Sequence, residues 1–375
     1  MNSNLGVAII GYAFMGKAHS AAWRSVAASF EVPGYEQKLL VGRDAAAAQA
    51  AAERYGWQQS ATDWRTVLER DDIQIVDICT PGWTHAEIAI AALAAGKHVL
   101  LEKPLANSLA EAEEMAAAAR AAEARGIRSM LGFNYRRIPA LVLAKELVAT
   151  GRVGEIRQVR VAYLQDWLSD PSAEMSWRLR KETAGSGALG DIASHAVDLL
   201  QFVTNDEVRS ASARMRTFVP SRPGPEGQEK VTVDDAIWAT LELSSGAVAS
   251  VEATRMATGR KNALQLEIYG EKGALRFDLE RLNELEFLDA TEPREEQGFR
   301  RILVTEASHP YLSAWWPPGH VIGWEHSFSH QIRDFLQSIS NGTAPSPSFA
   351  EGLQVQRVLK AIESSDAAQG LRVDV

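Results

Sequence analysis

A short apolar run, Leu5-Gly6-Val7-Ala8-Ile9-Ile10, leads directly into Gly11-Tyr12-Ala13-Phe14-Met15-Gly16 and then into helix-forming residues. A strand that turns through G-x-A-x-x-G into a helix is the dinucleotide fingerprint, here with alanine in the middle position. The first glycine makes the tight turn. The middle position lets the backbone approach a pyrophosphate, and the last lets the helix pack closely on the strand. The free N–H groups at the helix start then hold the phosphates. Ala13 adds one methyl where the approach is tightest, which narrows the fit without closing it. A tight turn with no ligand is the alternative reading of the same residues.

The rest of the first half repeats this rhythm. Lys38–Val41, Ile75–Cys79, His98–Leu101 and Arg128–Phe133 read as further strands, with helices over Ala45–Tyr55, Trp64–Glu69, His85–Ala95 and Leu109–Arg125 between them. Gly56 and Gly96 mark helix ends, and Asn107-Ser108 supplies an N-cap. Continuous apolar strands separated by helices predict a doubly wound parallel sheet covered on both faces, an α/β domain over residues 1–135.

The second half, 136–375, reads as an α+β domain with a large, mostly antiparallel open sheet. Its strands are Ile156–Trp167, with Val159, Val161 and Tyr163 on one face, then Val208–Phe218, Val231–Leu243, Ala247–Thr254, Leu264–Tyr269, Ala274–Phe277 and Leu285–Leu288. Ser244-Ser245-Gly246 is a hairpin turn, and Pro220–Glu229 is a surface loop by composition. Helices are expected over Ser186–Phe202, Glu325–Ser340 and Phe349–Ser364, the last two placed to pack back on the first domain.

Composition narrows the function classes. The 375 residues include 39 Lys+Arg against 48 Asp+Glu, a net charge of −9, with no basic cluster of the kind nucleic acid requires. Cys79 is the single cysteine, which excludes a disulfide framework and a Cys-rich zinc site. No apolar stretch approaches the ~20 residues of a membrane helix. Met1-Asn2-Ser3-Asn4 lacks the basic flank of a signal peptide, so the expectation is a cytoplasmic protein without membrane or nucleic-acid partners. The oddity is ten Trp, of which Trp167, Trp177, Trp238, Trp315, Trp316 and Trp324 follow residue 160.

Three further patterns carry chemistry. The end of the second strand is where an acidic residue reads the ribose of NAD, or a basic one the phosphate of NADP. Here it is Val41-Gly42-Arg43-Asp44: Arg43 suits a 2′-phosphate, Asp44 a turn back to the ribose, and both also suit a solvated turn. This leans slightly to NADP being accepted. Glu102-Lys103-Pro104 ends the fourth strand, where ligands of open parallel sheets bind; Lys103 points into that cleft or into solvent. In Gly187-Ala188-Leu189-Gly190-Asp191-Ile192-Ala193-Ser194-His195, Asp191 and His195 are four apart on one helix face. A His near its working pKa accepts the proton of an alcohol under oxidation, with a carboxylate to orient it; a structural ion pair gives the same spacing. No third ligand at fixed spacing suggests a metal, and hydride transfer to nicotinamide needs none.

The strand–GxAxxG–helix start, Thr80-Pro81-Gly82-Trp83-Thr84-His85, Glu102-Lys103-Pro104 and Gly187-x-x-x-Asp191-x-x-x-His195, in this order, resemble the Gfo/Idh/MocA oxidoreductase family along essentially the whole chain. Gly11–His19, Phe133–Arg137, Tyr163–Trp167 and Ala184–Asp191 are most similar to its glycoside 3-dehydrogenase branch. The resemblance implies a Rossmann first domain, NAD or NADP as cofactor, and a homodimer or homotetramer formed through the second sheet. It implies that Lys103 contacts the reacting hydroxyl, that His195 is the general acid/base, and that Asp191 lies beside the substrate or orients the pair. Ala13, Phe14 and Met15 then line the pyrophosphate between Gly11 and Gly16. Thr80, Pro81 and His85 border the nicotinamide half, Glu102 sits near its ribose, and Gly42 and Arg43 meet the adenosine end. Ala13, Gly82 and Gly42-Arg43 depart from the usual glycine, asparagine and acidic residue.

Sugars are held by polar side chains plus a flat aromatic face. Asn134, Tyr135 and Arg136 after the fifth strand, Gln165, Asp166 and Trp167 after the first strand of the second domain, and Trp177 before the helix are expected to face the substrate. His309–His320, with Trp315 and Trp316, is expected to form a wall over the sugar or a subunit contact, whereas Trp57 and Trp64 read as packing. The expected activity is oxidation of a ring secondary hydroxyl, at C3 of a pyranose or glycoside. A cyclitol (inositol) dehydrogenase, a glycosidase using transient C3 oxidation, and a non-catalytic sensor are the alternatives.

Overall fold

The computed structural model describes residues 4–225 and 227–375; the opening Met1–Ser3 and Glu226 of the Pro-rich stretch lie outside them. Along the chain the elements are β1 (Leu5–Ile10), α1 (Phe14–Ser29), β2 (Tyr35–Val41), α2 (Ala45–Tyr55), β3 (Gln59–Ala61), β4 (Ile75–Ile78), α3 (His85–Ala94), β5 (His98–Glu102), α4 (Leu109–Glu123) and β6 (Ser129–Gly132). There follow α5 (Pro139–Ala149), β7 (Ile156–Leu164), α6 (Lys181–Ala184), α7 (Ser194–Thr204), β8 (Val208–Arg216), β9 (Ser221–Gly224), β10 (Gly227–Lys230), β11 (Ala236–Leu243) and β12 (Val248–Thr254). The chain closes with β13 (Ala263–Gly270), β14 (Gly273–Asp278), β15 (Glu284–Asp289), β16 (Arg300–Leu303), α8 (His326–Asn341), α9 (Phe349–Ala367) and β17 (Val373–Asp374).

Two compact units result. The first holds the residues up to Asn134 together with Trp324–Gln354, and the second holds Tyr135–Gly323 with Val355–Val375. In the first unit the strands run parallel in the order β3-β2-β1-β4-β5-β6. The order reverses between β1 and β4, the switch point where open α/β sheets bind ligands. Val7, Ile9, Leu40, Ile75 and Leu100 fill the sheet core, and α8 packs on α1 through Phe328, Ile332 and Phe335 against Trp23 and Val26. Each such side chain, fully buried, contributes roughly 1.5–3 kcal/mol. Trp57 joins this core and donates its indole N–H to Ser20 Oγ at 2.9 Å. The helix expected over Trp64–Glu69 is a single 3₁₀ turn, Trp64–Val67, capped by Asp63. The Gln59-Ser60-Ala61 edge strand had no apolar signature to announce it.

The second unit is a nine-stranded sheet in the order β16-β15-β14-β13-β7-β12-β11-β8-β17, antiparallel except for β7 against β12. Alternation sorts its faces: Val159, Val161, Tyr163, Leu241 and Val251 point inward, while Arg160, Trp238, Thr240 and Ser250 point outward. Pro220–Glu229 is not the expected loop. It carries the β9–β10 hairpin, pinned by fully buried Arg222, whose guanidinium donates to the carbonyls of Leu168 and Asp170. The helix expected from Ser186 begins instead with a π-helical turn, Leu189–Ala193, and only then becomes α7.

Candidate active site

The Gly11–Gly16 turn has the geometry of a phosphate cradle. Gly11 lies at φ +105°, and a Cβ there would stand 2.8 Å from the carbonyl oxygen of Cys79. A Cβ on Gly16 would stand 2.1 Å from the Gly11 carbonyl oxygen, so only glycine lets α1 pack this closely on the turn. Ala13 is the N-cap of α1 with no side-chain cap, and the first turn holds no acidic residue. The leading N–H groups of α1 are thus the positive end of a helix, suited to a pyrophosphate. Phe14 is 65% exposed and stacks on Trp324 with ring centroids 5.6 Å apart; Met15 is half-buried. The donors and the glycine spacing fit a dinucleotide.

The adenosine end explains its missing acid. A Cβ on Gly42 would lie 2.0 Å from the Tyr12 ring, so the ring fills the space a ribose-reading carboxylate would need. Asp44 does not turn back: its Oδ1 accepts from the Ala47 amide at 2.8 Å and caps α2. Arg43 is exposed.

The ends of β4 and β5 are braced from below. His85 is buried, and its ring nitrogens lie 2.9 Å from the carbonyl oxygens of Thr80 and Pro104. Burial pushes its pKa down, against the pull of those two carbonyls. Thr84 caps the Thr80–Pro81 turn through Thr80 Oγ1 at 2.6 Å and the Pro81 carbonyl at 2.8 Å. Gly82 faces the Asn107 amide, whose Oδ1 would lie 2.3 Å from any Cβ, which accounts for glycine after Thr-Pro. Glu102 is buried and Lys103 half-buried. Beneath them lies a group that composition and spacing did not single out. His19 on α1 bridges Asp77 of β4 and Glu102 of β5, at 2.9 Å through each ring nitrogen.

In the second unit, His195 at the start of α7 is flanked by aromatic rings. Tyr135 stands 4.6 Å away and Tyr163 6.0 Å away, centroid to centroid. The Tyr135 hydroxyl meets the Tyr163 hydroxyl at 2.9 Å, and Tyr163 donates to Asn262 Oδ1 at 2.7 Å. Gln165 Nε2 donates to the same Asn262 oxygen at 2.7 Å, and Trp167 Nε1 donates to Gln165 Oε1 at 3.0 Å. A continuous polar chain therefore runs from the histidine's neighbours to an indole that is 44% exposed. Burial and the adjacent Tyr135 hydroxyl hold the Tyr163 phenol well above its usual range, so it stays a donor.

Asp191 sits on the π-helical turn, a third exposed, with Arg255 at 3.9 Å. That turn is tied down by Asp234, whose carboxylate accepts from the amides of Gly187 and Leu189 at 2.7 and 2.8 Å. Burial raises the Asp234 carboxyl, opposed by Arg255 and these amides. Gly187 is required, since a Cβ would lie 1.7 Å from the Asp234 carbonyl oxygen.

Other expected sugar contacts are committed elsewhere. Arg136 is 4% exposed and chelates Asp198 at 2.5–3.0 Å, so its fork anchors α7 and is not a free donor. Asn134 is buried and donates to Ser327 Oγ at 2.8 Å. Asp166 accepts from Lys261 and from the Gly259 amide, which hold its carboxyl below the usual range. Trp177 lies under the Arg178 guanidinium, and Trp316 is 56% exposed in the irregular segment after β16. Asn262, Arg255 and Asp234 were not legible: they stand on turns between strands with no motif around them.

Residues 5–128 match the oxidoreductase family's NAD-binding Rossmann fold, and residues 141–276 match the GFO/IDH/MocA C-terminal domain. Levoglucosan dehydrogenase of Pseudarthrobacter phenanthrenivorans is 41% identical, over 99% of this chain and 98% of its own. A crystal structure of an oxidoreductase domain protein from Kribbella flavida shares 58% identity at a TM-score of 0.97, covering 100% of this chain and 99% of that one. The complex of levoglucosan dehydrogenase with NADH and levoglucosan is 41% identical at a TM-score of 0.95, covering 100% of both chains. The α/β first unit, the mostly antiparallel second sheet and both sequence matches agree: the chain belongs to the Gfo/Idh/MocA family of NAD-binding oxidoreductases.

Proposed function

We propose that the protein is a nicotinamide-dependent dehydrogenase that oxidises a ring secondary hydroxyl of a sugar or glycoside, at C3 of a pyranose such as levoglucosan. The observation that carries this reading is the chain Tyr135–Tyr163–Asn262–Gln165–Trp167 beside His195: polar groups for ring hydroxyls, ending in an exposed aromatic face. The likeness to a levoglucosan dehydrogenase solved with NADH and levoglucosan supports it. A bound nicotinamide would supply the hydride acceptor. Lys103 contacts the reacting hydroxyl, His195 or Lys103 takes up its one proton, and Asp191 lies beside the substrate or orients the pair. Fixing the reacting carbon in line supplies much of the rate. NAD is the working cofactor, and NADP is accepted through Arg43. Arg43→Ala then lowers kcat/KM with NADP about tenfold, the scale of one charged contact, and leaves NAD unchanged.

The second sheet's outer face, with Arg160, Arg214, Glu252, Glu267 and Trp238 side by side, pairs with a second copy in a homodimer or homotetramer. An apolar side chain such as Trp238, at 39% exposure, is a liability on an uncovered sheet. Light scattering that finds a monomer contradicts this.

Levoglucosan, methyl glucosides and inositols, assayed with both cofactors by reduced-cofactor absorbance, test the substrate. One NADH per oxidised pyranose supports the proposal. Preference for inositols makes it a cyclitol dehydrogenase, and glycoside cleavage without net NADH makes it a glycosidase.

A further inference from the structure

Asp77 is a carboxyl group inside an apolar strand, flanked by Val76 and Ile78, and it is fully buried. It is also saturated. Both carboxylate oxygens lie 2.9 Å from His19 Nδ1, the Trp23 indole donates at 2.7 Å, and the Cys79 thiol lies at 3.5 Å. The other ring nitrogen, Nε2, reaches Glu102 Oε1 at 2.9 Å. The second Glu102 oxygen accepts from the backbone N–H of Lys103 at 3.2 Å. Gly132 on β6 leaves the room, because a Cβ there would stand 2.9 Å from Glu102 Oε1. The groups facing His19 are thus Asp77 from β4, Cys79 just after it, Glu102 from β5 and the Phe328 ring from α8 at 5.3 Å. With a carboxylate at each ring nitrogen, the imidazole is held as a cation that donates twice. Both its nitrogens are used and the thiol is buried and protonated, so the set is a hydrogen-bonded chain and not a metal site.

Unpaired, each of these buried charges would cost several kcal/mol, and apolar residues would fill the space as stably. The chain does one thing apolar residues cannot: it fixes the direction of the Glu102 carboxylate and, through it, the backbone at Lys103. We infer that Asp77 and His19 are positioning residues for Lys103, acting through Glu102. This rests on the reading that Lys103 works at the reacting hydroxyl.

The two amide replacements of histidine separate positioning from packing. Gln places its N–H₂ near the Nε2 position and keeps the donor to Glu102; Asn places it near Nδ1 and keeps only the donor to Asp77. Both remove the same charge. His19→Asn is expected to lower kcat roughly 30-fold, the scale of a sub-ångström misplacement, while His19→Gln stays within about 3-fold of wild type. In both, KM for the sugar and Kd for NAD+ by Trp fluorescence stay within about 3-fold of wild type. Equal kcat in the two variants, or loss in both that tracks their melting temperatures, overturns the inference.

Should either variant fail to fold, Asp77→Asn carries the test. Without that carboxylate the Nδ1 side of the ring loses the partner that fixes it, so kcat falls toward the His19→Asn level at every pH while KM for the sugar is kept. A wild-type kcat overturns the inference. Lys103→Ala run alongside keeps the two readings apart: if it retains turnover, the role of Lys103 fails, whatever His19 does.

Discussion

Each of the two units carries candidate binding geometry, and the two are built from different materials. In the first, the candidate cofactor geometry is backbone: glycines at 11 and 16, a bare helix start, and two strand ends braced by His85 and Glu102. In the second, it is side chain: rings around His195 and an amide–phenol chain reaching Trp167. Backbone geometry tolerates almost no substitution and leaves a spaced signature in sequence. A side-chain surface is set by which way each group points, and the same letters serve packing or binding.

The largest effects should come where the chemistry is proposed. Lys103→Ala and His195→Ala are each expected to lower kcat/KM by about 10²–10⁴ while NAD+ affinity is kept, checked by steady-state rates and fluorescence titration. Asp198→Ala removes the buried carboxylate that the Arg136 guanidinium grips. It is expected to cost about 3–5 kcal/mol of second-unit stability, read by denaturant unfolding. Gly16→Val pushes a side chain into the Gly11 carbonyl, so about 1–3 kcal/mol of stability and most cofactor binding should go, by calorimetry and titration. Trp167→Ala tests the other half: sugar KM should rise about tenfold, the loss of one aromatic face, with NAD+ Kd unchanged. If Gly16→Val harmed only sugar binding, or Trp167→Ala only NAD+ binding, the division of labour would be wrong.

The smallest effect is a pH dependence. Burial lowers the His19 pKa, but the Asp77 carboxylate outweighs it and holds the folded value well above the ordinary 6.5. A raised histidine pKa stabilises fully below pH 6.5, and that contribution is lost as pH climbs through the folded value. The melting-temperature gap between wild type and His19→Gln should therefore be widest in mild acid and narrow toward alkaline pH.

The same contrast explains what the sequence revealed. Strand β1 and helix α2 were legible to the residue, because a continuous apolar run and an Ala-rich stretch ended by Gly56 leave no rival structure. The tight Gly11–Gly16 turn was legible from its glycine spacing. Arg136 and Asn134 were expected at the sugar because they follow a strand end, but burial turned them inward onto Asp198 and Ser327. Asp44 was open between ribose and turn, and helix capping took it. The Asp77–His19–Glu102 chain was spread over three elements, so no local pattern could join it. The Trp excess divides accordingly: Trp23 and Trp57 are core, Trp324 stacks on Phe14, and Trp167 ends the polar chain.

The most direct test is to supply levoglucosan and NAD+ to the purified enzyme, follow NADH formation, and identify the product by NMR. One NADH per 3-keto product is expected, lost in His195→Ala. NAD+ binding with no NADH formed from any pyranose or cyclitol would contradict it.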